Sequence, residues 1–235
     1  MDLLARLAED PGQAALFLDV DGVLAPIVAR PEDARVPEGT RVELRRLNER
    51  YALVACISGR TGADAQRIVG IPELVYVGNH GLELDDEAAA WRSRLQQFLV
   101  DVNWPATENK ELTASLHYRG ARDEAAARAT LQNVKARAER AGFVARFGRK
   151  VLEVLPPLEV NKGTAVRKLL AERNLERALY AGDDTTDLDG FRALDGLDVS
   201  VRIAVVSEEG PAELREAADL TVGRPEELLE VLRRL

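Results

Sequence analysis

Nine residues, Leu16-Phe17-Leu18-Asp19-Val20-Asp21-Gly22-Val23-Leu24, constrain this chain more than any others. An apolar run long enough for a buried strand ends abruptly in two carboxylates and a glycine. Open parallel sheets gather ligands just beyond the carboxyl ends of their strands, so acids delivered there are placed for chemistry. A regular strand would point Asp19 and Asp21 to the same side. One can act on a substrate while the other handles a proton, or both can approach a hard cation such as Mg2+. A turn or a helix start uses the same residue types. An EF-hand calcium loop does not fit, because Gly22 comes too early and Val23-Leu24 supplies no ligand.

The pattern around this stretch repeats. Leu53-Val54-Ala55-Cys56-Ile57 reads as a second buried strand and ends in Ser58-Gly59-Arg60. Leu74-Val75-Tyr76-Val77 reads as a third and closes on Gly78-Asn79-His80-Gly81. Between them, helices are expected over 40–50, opened by the capping-box pattern Thr40-x-x-Glu43, and over 63–69. Alternating strand and helix argues for an α/β fold, a parallel sheet with helices on both faces.

Near residue 86 the pattern changes. The stretch with Trp91, Phe98 and Trp104 reads as helical. Leu112, Ala114, Leu116 and Tyr118 then alternate with Thr113, Ser115 and His117, as in a half-exposed antiparallel strand. A helix over 121–141 and a hairpin turning at Gly148-Arg149 complete an inserted α+β domain. The first pattern returns with Asn161-Lys162-Gly163-Thr164 opening a helix. Ala178-Leu179-Tyr180-Ala181 then reads as a strand ending in Gly182-Asp183-Asp184-Thr185-Thr186-Asp187. The expected organisation is a core from 1–85 and 158–235, with a cap from 86–157.

The formal net charge of -8 argues against a nucleic-acid partner. Cys56, the one cysteine, sits in an apolar run and is expected to be a core residue in a reducing compartment. The first residues lack a basic region followed by an apolar stretch, and no segment reads as a membrane span. The expectation is a cytoplasmic monomer acting on a small molecule.

Asp19/Asp21, Ser58, Lys162 and Asp183/Asp187 all fall at strand ends or helix starts of one sheet. A phosphate monoester needs an in-line nucleophile, a cation on its oxygens and donors for developing charge. Carboxylates are known nucleophiles towards phosphoryl groups. Asp19 is read as the nucleophile, with Asp21 as acid towards the leaving alcohol and then base for water. Ser58 offers a hydroxyl donor and Lys162 a point charge. Asp183 and Asp187 would complete an oxygen site for Mg2+. Taken singly, each element also suits a plain turn, a solvated lysine or a helix cap.

Asp-x-Asp-Gly, Ser-Gly-Arg, Lys-Gly and Gly-Asp-Asp-x-Thr-Asp together resemble the four motifs of the haloacid dehalogenase-like phosphatases. Asn79-His80-Gly81, Glu108-x-Lys110, Leu116-His117-Tyr118-Arg119 and Val151-Leu152-Glu153-Val154 narrow the resemblance to the trehalose-6-phosphate phosphatases. The resemblance implies a Rossmann-like core, a mobile cap inserted after the third strand and an aspartyl-phosphate intermediate. It implies Mg2+ held by Asp19, the Asp21 carbonyl and Asp183, with Asp187 nearby in the same motif. For the substrate it implies Ser58, Gly59, Arg60, Asn79 and His80 from the core. From the cap it implies Glu108, Lys110, His117, Arg119 and Glu153, of which Glu108, Lys110 and Glu153 grip sugar hydroxyls. Two positions depart from the family: Val23 replaces a frequent Thr, and Leu155 replaces a frequent basic residue before proline. Sucrose 6-phosphate and glucosyl- or mannosyl-3-phosphoglycerate are therefore alternative substrates. Functional coupling to a trehalose-6-phosphate synthase, or a non-catalytic role as its sugar-phosphate-binding partner, completes the set of expectations.

Overall fold

The computed structural model describes residues 2–28, 30–148, 150–207 and 210–235. The chain opens with α1 (Leu3–Ala8), β1 (Ala14–Leu18), α2 (Glu38–Arg50), β2 (Leu53–Ile57), α3 (Gly62–Val69) and β3 (Val75–Val77). It continues through α4 (Ala88–Val100), β4 (Thr107–Asn109), β5 (Ala114–His117), α5 (Glu124–Arg140), β6 (Val144–Gly148) and β7 (Val151–Leu155). It closes with α6 (Lys162–Arg173), β8 (Arg177–Gly182), α7 (Asp187–Arg192), β9 (Val199–Val205), α8 (Ala212–Ala217), β10 (Leu220–Val222) and α9 (Pro225–Leu232). Two compact units result: Met1–Gly81 with Val160–Leu235, and Leu82–Glu159.

The first unit holds a six-stranded parallel sheet in the order β10-β9-β8-β1-β2-β3. From the central pair β1 and β8, successive strands step outward in opposite directions. That reversal opens a crevice at the carboxyl ends of the two strands. All five residues of β1 are buried. Leu16 and Leu18 join Leu4 and Leu7 of α1, Leu44 and Leu47 of α2, and Leu228 of α9 in one apolar cluster. On the opposite face Tyr180 of β8 meets Phe191 of α7 edge to face, with ring centroids 5.8 Å apart. Both faces are thus covered, as the apolar runs of the strands require. Each fully buried Leu or Phe contributes about 1.5–3 kcal/mol by leaving water.

One local expectation is corrected. Thr40 and Glu43 do not cap α2, which begins two residues earlier at Glu38 and has no side-chain cap. Pro37, with φ -59° and ψ 148°, turns the extended chain into the helix, and the Glu38 carboxylate suits the positive helix end. Glu43 pairs with Arg46 instead.

The second unit is an antiparallel sheet in the order β4-β5-β7-β6, packed against its helices. The alternation read from the sequence holds in which way the side chains face, although Ser115 is buried and only His117 of β5 is exposed. Ala114, Leu116 and Tyr118 lie in an apolar cluster with Leu95, Leu131, Leu152 and Val154. Trp91 and Trp104 pack against that cluster, and Trp91 meets the Phe143 ring at 5.1 Å. β4 escaped the sequence reading because Thr-Glu-Asn carries no apolar alternation; its ladder with β5 makes it a strand. β6 and β7 form the expected hairpin, with Gly148 opposite Val151. Its turn includes Arg149, which lies outside the described residues. Among the described residues no helix is long and apolar enough to cross a membrane.

Candidate active site

The carboxyl ends of the core strands deliver the polar residues. Asp19 follows β1, Ser58 follows β2, Asn79 lies just past β3, and Asp183 follows β8. Lys162 arrives from the other direction as the first residue of α6. The Asn161 side chain accepts from the Thr164 amide at 2.9 Å, and the Thr164 hydroxyl oxygen accepts from the Asn161 amide at 3.0 Å. This capping box fixes the helix start and with it the root of Lys162.

Lys162 is only 2% exposed, and its Nζ lies 2.9 Å from Asp19 Oδ2 and 2.7 Å from Asp187 Oδ1. Burial would strip the ammonium of its proton, but Asp19 and Asp187 outweigh it and hold Lys162 charged. Asp19 accepts the Val20 amide at 2.7 Å on its other oxygen. Burial raises the Asp19 carboxyl above the ordinary value, Lys162 opposes that rise, and Asp187 adds to it. Tyr180 donates its hydroxyl to Asp187 Oδ1 at 2.8 Å. The amides of Asp183 and Asp184 donate to Asp187 Oδ2, each at 3.0 Å. Asp187 therefore has both oxygens occupied and serves as a brace for Lys162 and for the loop carrying Asp183.

Asp183 remains partly exposed. Burial, with Asp19 and Asp187 beside it, pushes its carboxyl up to about 8. Gly22 is required at this point. Its φ is +78°, and a Cβ there would lie 2.1 Å from Asp183 Oδ2. A cavity of about 580 Å³ opens beside Asp183, lined by Gly22, Ile27, Val206, Ser207 and Arg224 among others.

Ser58 is buried, and its hydroxyl accepts the Arg60 amide at 3.2 Å. The loop after β3 folds onto this turn: the Asn79 amide donates to the Arg60 carbonyl at 2.7 Å and the His80 amide to the Ser58 carbonyl at 2.9 Å. Asn79 and His80 both adopt left-handed backbone, with φ 51° and 54°. The missing side chain of Gly59 makes room for the His80 ring, 2.6 Å from where a Cβ would stand. Ser58, Gly59, Arg60, Asn79 and His80 are thus brought together. Arg60 spans Asp21 and Asp64, with Nε 2.6 Å and Nη2 2.8 Å from the two Asp21 oxygens and Nη1 2.8 Å from Asp64.

Glu108, Lys110, His117, Arg119 and Glu153 all belong to the second unit. Glu108 opposes Ser115, which opposes Glu153, so the three share one cross-strand row. That row faces away from Leu116, Leu152 and Val154. Glu108 lies 3.7 Å from Lys110 and 3.2 Å from His117, and Glu153 lies 2.9 Å from Arg146. Arg119 is exposed just beyond β5.

Two residues of the site went unnoticed in the sequence. Tyr180 looked like one more apolar strand position; its hydroxyl, alone in a buried run that leads to an acid cluster, was the available signal. Asp64 sits in the first turn of α3, and its spacing of four from Arg60 was the available signal.

Asp19, Asp183 and Asp187 each present a carboxylate oxygen, all within 4.8 Å of one another. Hard oxygen donors with several negative charges and one lysine suit a small divalent cation. Within this triad Asp187 accepts four hydrogen bonds, from Lys162, Tyr180 and the amides of Asp183 and Asp184, whereas Asp19 meets only Lys162 and the Val20 amide among the described residues.

The sequence model of the trehalose-phosphatase family matches residues 17–105 and 95–222. A trehalose-phosphate phosphatase from Mycobacterium marinum is 32% identical over 92% of this chain, and one from Mycobacterium avium is 32% identical over 94%. The chain spans 64% and 61% of the length of these two relatives. Among solved structures, trehalose-6-phosphate phosphatase from Aspergillus fumigatus superposes with a TM-score of 0.64 at 26% identity, covering 99% of this chain and 96% of the other. The C-terminal domain of the C. albicans trehalose-6-phosphate phosphatase gives a TM-score of 0.71 over 98% of this chain and 94% of the other; at 21% identity it speaks for the fold alone.

Proposed function

Because the chain belongs to the trehalose-phosphatase family, we propose that it hydrolyses trehalose 6-phosphate to trehalose and inorganic phosphate. The observation that carries this reading is the buried Asp19 carboxylate, held by Lys162 at the carboxyl end of the central strand. A carboxylate fixed there is oriented for in-line attack and shielded from competing water.

In the first displacement an Asp19 oxygen bonds to phosphorus as the bond from phosphorus to the sugar oxygen breaks. Asp21 gives that departing oxygen a proton. In the second, water bonds to phosphorus as the aspartyl-phosphate bond breaks, and Asp21 takes the water's proton. Ser58 donates its hydroxyl to a phosphoryl oxygen, and Lys162 offsets the charge gathered around Asp19. Asp19, the Asp21 carbonyl and Asp183 are the groups that would hold Mg2+, which when bound neutralises charge on the phosphoryl oxygens. Asp187 and Tyr180 brace this set. We assign Glu108, Lys110 and Glu153 to the sugar hydroxyls, with His117 and Arg119 beside them.

The test is phosphate release from trehalose 6-phosphate, sucrose 6-phosphate, glucosyl-3-phosphoglycerate and a small aryl phosphate, with Mg2+ and with EDTA. Release that depends on Mg2+ and favours trehalose 6-phosphate is expected. Preference for another sugar ester would overturn the substrate, and Mg2+-independent release would overturn the metal assignment.

A further inference from the structure

The family resemblance places Arg60 among the substrate contacts, yet three of its five N–H donors are already engaged. Nε and Nη2 form a two-pronged pair with both oxygens of Asp21, at 2.6 and 2.8 Å. The remaining Nη1 lies 2.8 Å from Asp64 Oδ2. Asp64 is fixed in turn: its amide donates to the Thr61 hydroxyl at the start of α3, and Arg67 holds its other oxygen at 2.9 and 2.6 Å. The Arg60 side chain is 16% exposed, against 35% for Asp21. The engaged donors include the whole Nε–Nη2 edge, so a phosphate could take that two-pronged edge only by displacing Asp21.

We infer that Arg60 is a positioning residue that sets the orientation of Asp21, anchored from behind by Asp64, and that it is not a ligand of the substrate phosphate. The planar fork fixes the plane of the Asp21 carboxylate. A carboxylate offers about four lone-pair sites, so the pair leaves acceptor capacity for exchanging a proton with the leaving oxygen or water. A lysine keeps the charge but cannot reproduce the fork. The inference rests on the role given to Asp21 in the reaction proposed above.

The experiment compares wild type, Arg60→Lys and Asp64→Asn in kcat/KM for trehalose 6-phosphate and for an activated aryl phosphate. This ratio reports the steps up to departure of the leaving group. A sugar alkoxide needs Asp21's proton and an activated phenolate hardly does. Arg60→Lys should therefore lose about 10- to 100-fold on the sugar ester and no more than about threefold on the aryl ester. Asp64→Asn should move the same way by a smaller factor, and it carries the test if Arg60→Lys melts early. Inhibition by inorganic phosphate should stay within about threefold of wild type, because no phosphate contact is lost. Equal losses on both esters, or phosphate inhibition weakened in step with activity, would overturn the inference and make Arg60 a phosphate ligand. A wild type inactive on every ester would overturn the proposed reaction as well, so the two failures read differently.

Discussion

The two regions that hold the candidate site residues treat their charges in opposite ways. In the parallel-sheet unit Lys162 and Asp187 pair at 2% and 0% side-chain exposure, and Asp19 joins them at 9%. In the antiparallel unit Glu108 and His117 pair at 51% and 47%, and Arg146 and Glu153 at 62% and 33%. Buried charges are weakly screened, so each member of the first cluster depends on the others and removing one is severe. Exposed pairs contribute only about 0–1 kcal/mol, so stability does not account for the second set. The contrast separates a buried, mutually dependent charge cluster from an exposed polar row.

The largest break should come at the nucleophile. Asp19→Asn keeps the size of the side chain and should cut phosphate release by about a thousandfold or more while the protein remains folded by circular dichroism. Turnover surviving in that variant would remove the chemistry from the buried cluster. Next is the cation. Lys162→Met leaves Asp19 and Asp187 facing each other without their partner, at a cost of about 3–5 kcal/mol in urea unfolding. Glu108→Gln should cost no more than about 1 kcal/mol in the same assay. Comparable costs at the two sites would erase the distinction between the units.

Gly22→Ala probes the close approach to Asp183. A Cβ there meets Asp183 Oδ2 at 2.1 Å in a backbone with φ +78°. About 1–3 kcal/mol of strain should appear in unfolding, and the thermal shift produced by Mg2+ should shrink. An unchanged shift would place the ion elsewhere.

A further break is in the pH dependence. The folded state raises the Asp183 carboxyl from 3.8 to about 8. The stability tied to its proton is fully present below the unfolded value and is lost as pH rises through the folded one. In EDTA, the melting temperature of Asp183→Asn should therefore gain on wild type between about pH 4 and about pH 9. A gap independent of pH would mean that Asp183 is not held in that way.

Much of this contrast was legible in the sequence because the chemical residues sit where local pattern is strongest. An apolar strand that stops at an acid, as at Leu18-Asp19 or Gly182-Asp183, announces the fold and the sheet edge where the polar residues gather. The alternation at 112–118 likewise exposed the second unit. What stayed hidden depends on contacts between distant residues. Arg60 and Asp21 are 39 positions apart, and neither periodicity nor propensity records their pairing. Tyr180 reads as an apolar strand residue until Asp187 is seen against its hydroxyl. β4 is polar and exists through its neighbour, and α2 begins at a proline-led turn and not at the capping pattern of Thr40.

The central claim is that the parallel-sheet unit performs the chemistry and the antiparallel unit selects the sugar. The most direct measurement sets kcat/KM for trehalose 6-phosphate beside that for a small aryl phosphate, in wild type, Asp183→Asn and the double variant Glu108→Gln/Glu153→Gln. Asp183→Asn should lose activity on both esters by similar factors. The double variant should lose about 10- to 100-fold on the sugar ester and keep the aryl ester nearly unchanged. A double variant equally impaired on both esters, or an Asp183→Asn protein that spares one of them, would contradict the account.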